Sequence, residues 1–344
     1  MKPLTAIALS GGIDSLVAAH LLKVKGHRLI GIHFTTGYET VSPDQVRDIA
    51  RQLGIPVKIM DCSAAFRSCV VDYFIDTYRR GQTPNPCMIC NPAIKFGTVA
   101  DFARTLGADR LATGHYARVR RDEKDTGRCR LLKGADRKKD QSYFLAFLNQ
   151  AQLAAASFPL GEMTKSEVRQ LAAEAGLTPT EGRESQDICF IPDSYGDFLV
   201  RQGGVIPRPG PIADISGRQI GEHKGLHLFT VGQRRGINCP ASEPYYVVRT
   251  DVRHNRLIVG LKQDLLCPEC RVSRINWIAP QPDGPIRAEV RIRYRHKAVP
   301  AEIIPQEDQT AVVRFEKPES AVTPGQGAVF YREDEVLGGG LIQR

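Results

Sequence analysis

The segment Ser10-Gly11-Gly12-Ile13-Asp14-Ser15 constrains the fold of this chain more than any other. It ends an apolar run, Leu4 to Leu9, that has the length of a buried strand. From Asp14 to Val24 apolar residues then recur at helical spacing (Leu16, Val17, Ala19, Leu21, Leu22). Glycines between a strand and a helix let backbone N–H groups face one concavity, and the helix adds its positive N-terminal end; such a nest suits a pyrophosphate. No Gly-Lys-Ser/Thr follows, as a Walker A loop requires, and Gly-x-Gly-x-x-Gly is missing. The alternative is an ordinary turn capped by Ser10 and Asp14. Further along, strands are expected at Arg28–Phe34, Pro56–Met60 and Arg110–Thr113. Helices are expected at Asp44–Leu53, Phe66–Arg80, Ile94–Leu106, Gln150–Ala156 and Lys165–Ala175, the last opened by the capping box Thr164-x-x-Glu167. This alternation predicts an α/β fold with a parallel sheet covered on both faces.

The texture changes near residue 200. Three prolines and three glycines fall between Gly203 and Pro211, and short strands follow at Tyr245–Arg249, Leu257–Gly260, Ala288–Tyr294, Ala311–Phe315 and Ala328–Tyr331. A chain of 344 residues has room for two or three domains. The expected division is a catalytic domain at 1–200, a central β-rich domain at 201–268 and a C-terminal β-barrel at 269–344. A hydrophobic fraction of 42% with 25% charged residues excludes bulk disorder. No apolar run approaches the ~20 residues of a membrane span. Nine cysteines, an odd number in a long chain with no signal-like start, argue for a cytoplasmic enzyme rather than a disulfide scaffold.

Two features point to a partner and a chemistry. The net charge is +9, and the stretch from Arg118 to Asp140 holds ten basic and five acidic residues around a predicted hairpin turn, Asp125-Thr126-Gly127. Arg287, Arg291, Arg293, Arg295 and Lys297 keep a period-two register on which Glu289 is the one exception, which in one strand sets them on one face, suited to an RNA backbone. The loop Gly81-Gln82-Thr83-Pro84-Asn85-Pro86-Cys87-Met88-Ile89-Cys90 precedes the helix expected from Ile94, so Cys90 lies near a helix start and Lys95, conditions that favour a thiolate. A third thiol, Cys189, lies in Glu184-Ser185-Gln186-Asp187-Ile188-Cys189-Phe190. A second Cys-x-x-Cys, Cys267 to Cys270, is too far from the first for a zinc ribbon, and His254 reads as a surface residue. Cys62, Cys69, Cys129 and Cys239 read as fillers.

The Ser-Gly-Gly-x-Asp-Ser loop resembles that of the PP-loop ATP pyrophosphatases, which cleave ATP between the α and β phosphates. With Gly81–Phe96, Ala112–Arg118, Lys139–Leu145, Phe158–Gly161, Glu184–Ile191 and Gly225 to Arg234, the chain resembles the bacterial tRNA-specific 2-thiouridylase family across most of its length. The resemblance implies ATP-dependent replacement of the wobble uridine's C2 oxygen by sulfur through an adenylated base. It implies ATP and Mg²⁺ at Ala8, Leu9, Ser10, Gly11, Gly12, Ile13, Asp14 and Ser15, with Phe34 and Gly114 lining the nucleotide site and Asp14 orienting metal or phosphate. It puts Asn85 and Pro86 at the target base, Cys90 as nucleophile and Cys189 as its persulfide partner. His115, Lys139, Asp140, Gln141, Arg293, Tyr294 and Gln326 take positions that touch the tRNA anticodon stem-loop. Many members carry Asp where this chain has Cys87; three thiols (Cys87, Cys90, Cys189) suit a 4Fe-4S cluster with an open iron, the reading favoured over persulfide chemistry. A sulfur donor, protein or inorganic sulfide, is a further implied partner. The rivals are a PP-loop enzyme acting on another nucleotide or acceptor and a non-catalytic RNA-binding protein.

Overall fold

A computed structural model of the protein describes residues 3–38, 42–122, 127–180, 188–192 and 194–343. The first strands are β1 (Leu4–Ala8), β2 (Arg28–Thr35), β3 (Val57–Asp61), β4 (Ala108–Ala112), β5 (Ala117–Arg121), β6 (Cys129–Lys133) and β7 (Ala156–Ser157). Five of them form a parallel sheet in the order β3-β2-β1-β4-β7. The helices are α1 (Ile13–Val24), α2 (Pro43–Leu53), α3 (Ser63–Phe66), α4 (Asp72–Arg79), α5 (Pro86–Cys90), α6 (Ala100–Thr105), α7 (Gln150–Ala155), α8 (Lys165–Glu174) and α9 (Tyr195–Gly203). The pleat sends alternate residues of β1 to opposite cores. Ala6 and Ala8 pack with Phe66, Phe74 and Phe190, whereas Ile7 and Leu9 pack with Leu16, Ile49 and Val168. Both faces are covered, as the near-continuous apolar strands require.

Residues beyond 203 are β-rich. Strands β8 (Gly210–Asp214), β9 (Gln219–His223), β10 (Tyr246–Asp251) and β11 (Arg256–Gly260) form a sheet in the order β10-β11-β8-β9 around Ile212, Phe229, Val247, Leu257 and Val259. Strands β12 (Leu266–Trp277), β13 (Ile286–Arg291), β14 (Val299–Gln306), β15 (Thr310–Ser320), β16 (Gly327–Arg332) and β17 (Glu335–Ile342) run in the order β12-β15-β14-β13-β16-β17, and β17 pairs back to β12. That closure makes a six-stranded barrel filled by Val272, Val290, Ile303, Val313 and Phe330.

The β5–β6 hairpin leaves the catalytic domain and joins the barrel: β6 pairs with β17 through Leu132–Glu335 and Leu131–Val336. Arg118 pairs with Asp334 at 2.8 Å, Arg130 with Glu335 at 2.5 Å, Arg137 with Asp334 at 2.5 Å and Lys133 with Glu289 at 3.6 Å. Of the cations expected to face RNA on this hairpin, Arg118, Arg130, Lys133 and Arg137 thus pair with barrel carboxylates instead. Residues Asp125 and Thr126 of its expected turn lie outside the described residues. The expected strand through Tyr294 ends at Arg291, where the chain turns and His296 N–H donates to the Arg293 carbonyl. Five cations therefore do not share one strand face.

Candidate functional site

Asn85 stands at the N-cap position, without a capping side-chain hydrogen bond, of a helix that begins at Pro86, earlier than the expected Ile94. A proline there gives up no hydrogen bond, because first-turn N–H groups have no partner within the helix. Pro86–Cys90 runs without a break through a π-helical stretch, Asn91–Val99, into α6. The wide turn accounts for two further residues. A Cβ on Gly97 would lie 2.8 Å from the Pro92 carbonyl oxygen, and Gln152 Nε2 donates to the Pro92 and Phe96 carbonyls at 2.8 and 3.1 Å. Cys87 and Cys90, three apart, consequently share a helix face.

Both thiols are half-buried. Burial pushes Cys87 up to about 11, with the like charge of Cys189 adding and Lys95 opposing. Burial pushes Cys90 up to about 12, Lys95 opposing and Cys189, Cys87 and Cys62 adding. The expected thiolate character is therefore reversed at rest: desolvation outweighs the lysine. Cys189 is exposed, at a turn closed by Ile191 N–H on the Ile188 carbonyl and anchored by Phe190, which is buried among Phe66, Phe74 and Phe198. Glu184 to Asp187 lie outside the described residues. The three thiols lie close enough for their charges to interact. Among the described residues, however, no three His, Cys, Asp or Glu side chains are grouped to hold a metal ion, so the expected three-cysteine cluster site is not assembled in this arrangement. Cys62, expected as a filler, is buried at the end of β3 next to this group.

At the glycine loop Ser15 Oγ donates to the Gly12 carbonyl at 2.8 Å and accepts from Ser10 N–H at 3.3 Å. Ala8 and Leu9 are buried beneath the loop, where Leu9 N–H donates to the Ile32 carbonyl at 2.9 Å. Gly11 has φ +86°, and a Cβ there would lie 2.3 Å from Thr180 Oγ1; Thr180 N–H donates to the Gly11 carbonyl. Gly114 packs against the Asp14 backbone, where a Cβ would come within 2.8 Å. Asp14 accepts from Lys165 Nζ at 2.8 and 2.9 Å and from Tyr116 Oη at 2.7 Å. Its carboxylate thus accepts from two side chains at the mouth of the glycine loop. Lys165 itself is buried, and sequence reading missed it. The signal was available: a lysine in the first turn of a helix opposes the helix dipole and calls for an anion nearby.

The expected tRNA-contact residues divide. Tyr294 is half-buried, its ring 4.3 Å from that of Phe144, beside Cys87. Gln326 Nε2 donates to the Thr83 and Pro84 carbonyls at 3.0 and 2.9 Å, fixing the loop that enters Asn85. Asn85 is buried beside Tyr143, whose hydroxyl donates to the Gly327 carbonyl at 3.0 Å. Asp140 is buried, accepting from Gly134 N–H, Ser142 and Arg291 Nη1 at 3.1 Å. Arg293 Nη2 donates to the Val231 and Ala321 carbonyls. Gln141 Oε1 accepts from Tyr116 N–H. His115 is buried against Phe96 and Phe158 with Thr113 Oγ1 2.7 Å away, and burial holds its pKa well below the ordinary value. Of these side chains, Asp140, Arg293, Tyr294 and Gln326 join one domain to another, Asn85, His115 and Gln141 make their contacts within the catalytic domain, and Lys139 is half-buried.

Family models match this chain in three consecutive stretches. Residues 4–193 match the tRNA methyl transferase HUP domain, 196–261 the tRNA methyl transferase PRC-barrel domain and 268–342 the aminomethyltransferase beta-barrel domain. Fold and site thus define a HUP-domain protein with two appended β modules. The tRNA-specific 2-thiouridylase MnmA of Desulfosudis oleivorans is 55% identical over 99% of this chain and 95% of its own. That of Synechocystis is 45% identical (99% and 97%), and that of Geotalea uraniireducens 46% (98% and 94%). The chain belongs to the tRNA-specific 2-thiouridylase family.

Proposed function

We propose that the protein is an ATP-dependent tRNA sulfurtransferase that exchanges the C2 oxygen of the wobble uridine in an anticodon stem-loop for sulfur. The observation that carries this reading is one helix, entered at Asn85, that bears Cys87 and Cys90 next to Cys189 and Tyr294, on the same domain as the glycine loop. The uridine C2 oxygen attacks the ATP α-phosphorus, and pyrophosphate leaves against the backbone N–H groups at Ser10–Ser15 and the start of α1. Mg²⁺ supplies charge neutralisation with the phosphates; Asp14 holds Lys165 toward them rather than the metal. The flipped base stacks on Tyr294, since RNA sequence is read on unstacked bases. The terminal sulfur of a Cys189 persulfide attacks C2, and AMP departs with the former carbonyl oxygen. The Cys90 thiolate then breaks the sulfur–sulfur bond, leaving sulfur on C2 and a Cys90–Cys189 disulfide, which a reducing sulfur donor resets. With Cys90 neutral at rest, deprotonation has to accompany substrate binding.

Cys87 favours a second reading, in which Cys87, Cys90 and Cys189 close on a 4Fe-4S cluster. Iron and sulfide analysis of anaerobically purified protein separates the two, and a colourless, iron-free, active enzyme ends the cluster reading. Mass spectrometry of tRNA from cells lacking the protein tests both. Unchanged 2-thiouridine at the wobble position would sink the function itself.

A further inference from the structure

We propose that an arginine-lined cleft between the catalytic domain and the central β domain binds the sugar–phosphate backbone of the substrate RNA and fixes where the target base enters. This rests on the tRNA reading above and adds a docking point that the family's motifs do not contain. The cleft, about 470 Å³, is lined by Arg80, Arg249, Asp251, Val252 and Arg253. Arg80 follows the end of α4, Arg249 lies on β10 and Arg253 on the turn to β11. Three cations face one carboxylate, and that carboxylate is hydrogen-bonded to His254: Asp251 accepts from His254 Nδ1 at 2.9 Å and from its backbone N–H at 3.3 Å. Among the described residues neither Arg249 nor Arg253 has a carboxylate within ion-pairing distance. Three guanidinium groups against a single carboxylate leave the cleft with surplus positive charge, which suits an anion with several oxygens.

The cleft is built rather than incidental. Its turn is pinned by the Asp251–His254 pair, by Asn255 N–H on the Val252 carbonyl and by Asn255 Nδ2 on the Pro209 carbonyl at 2.8 Å. Its wall is joined to the base-binding loop: Thr250 Oγ1 donates to the Gly81 carbonyl at 2.7 Å. A Cβ on Gly81 would lie 2.5 Å from Val252 Cγ2, so the two segments meet without room for a side chain. From Gly81 to Asn85 the chain can span at most about 14 Å. A phosphate held by the arginines is therefore within a few nucleotides of the base position. That proximity selects RNA backbone over a free nucleotide, whose own loop lies at Ser10–Ser15.

The test compares the wild type with the double variant Arg249→Gln/Arg253→Gln, both made as full chains. Binding of unmodified tRNA is measured between about 50 and 300 mM KCl. Loss of two phosphate contacts makes the slope of log K against log salt shallower by about 1.4–1.8. KM for tRNA rises about tenfold at physiological salt while kcat at saturating tRNA and KM for ATP stay unchanged. The charge-keeping variant Arg249→Lys/Arg253→Lys retains most of the slope, and matching thermal melts show that the variants are folded. An unchanged slope and KM in the Gln variant overturn the proposal. So does a raised KM for ATP with tRNA binding intact, which would assign the cleft to a free nucleotide. Wild-type protein that binds no tRNA fails the functional reading instead, and that is seen before any variant is compared.

Discussion

Two regions of this molecule hold most of its telling cations and use them in opposite ways. Along the hairpin–barrel seam, Arg118, Arg130, Lys133 and Arg137 each meet a barrel carboxylate, and Arg291 is buried against Asp140. At the Gly81–Cys90 end, Arg249 and Arg253 converge on a cleft without such partners, and Cys87 and Cys90 are thiols held neutral by burial. Positive charge in sequence does not by itself say which use it serves. The decisive difference is whether the fold delivers an acid to the same spot. Partnered groups tie the hairpin to the barrel; under the proposals above, the others are kept for substrate.

The sharpest contrast comes from removing one group on each side. Cys90→Ala leaves the thermal melt unchanged and abolishes 2-thiouridine formation in a single-turnover assay; residual product above background would break the assignment. Arg291→Met strands Asp140 in the seam and costs about 3–5 kcal/mol by urea unfolding. If the loss is under about 1 kcal/mol, the seam is not held by this pair. A pH titration separates the same two kinds of group. His115 is held well below its ordinary pKa, so the unfolded state binds more protons. Stability should therefore fall as pH drops below about 6.5, by up to about 1.4 kcal/mol per pH unit, and His115→Phe should flatten that fall in urea melts at stepped pH. Iodoacetamide at pH 8, read by peptide mass spectrometry, should modify exposed Cys69 well before Cys87 and Cys90; equal rates would contradict their raised pKa values. The smallest change is expected from Arg130→Ala. It removes a partly exposed pair, costs less than about 1 kcal/mol and leaves the salt slope of tRNA binding as it was.

Much of the catalytic domain was legible because its signals are local. The β1 run, the glycine loop and the Thr164–Glu167 capping box each lie within a few residues and form as expected. What escaped depends on residues far apart. Strand β17 contains Gly338-Gly339-Gly340, which sequence alone reads as a breaker. In the barrel a Cβ on Gly338 would come within 2.4 Å of the Asn276 carbonyl oxygen and one on Gly340 within 2.6 Å of that of Ser273, so close packing against β12 requires the glycines. At the site, Cys87, Cys90 and Cys189 were visible as thiols, but their charge state was not, because burial against Lys95 is a tertiary quantity. The arginine cleft was missed for the same reason, and Lys165 offered only a first-turn lysine with nothing local to name its partner. Neither has a motif, and each acquires meaning only from Asp14 or from the β10–β11 turn.

The β5–β6 hairpin has a consequence for how the protein is made. Lys133 Nζ donates to the Glu333 carbonyl across 200 residues of chain. At a synthesis rate of ~5–20 residues per second, the hairpin waits about 10–40 seconds on the ribosome for the strand it must join. During that interval the edge of β6 has no partner, and a chaperone or a neighbouring nascent chain can reach it first.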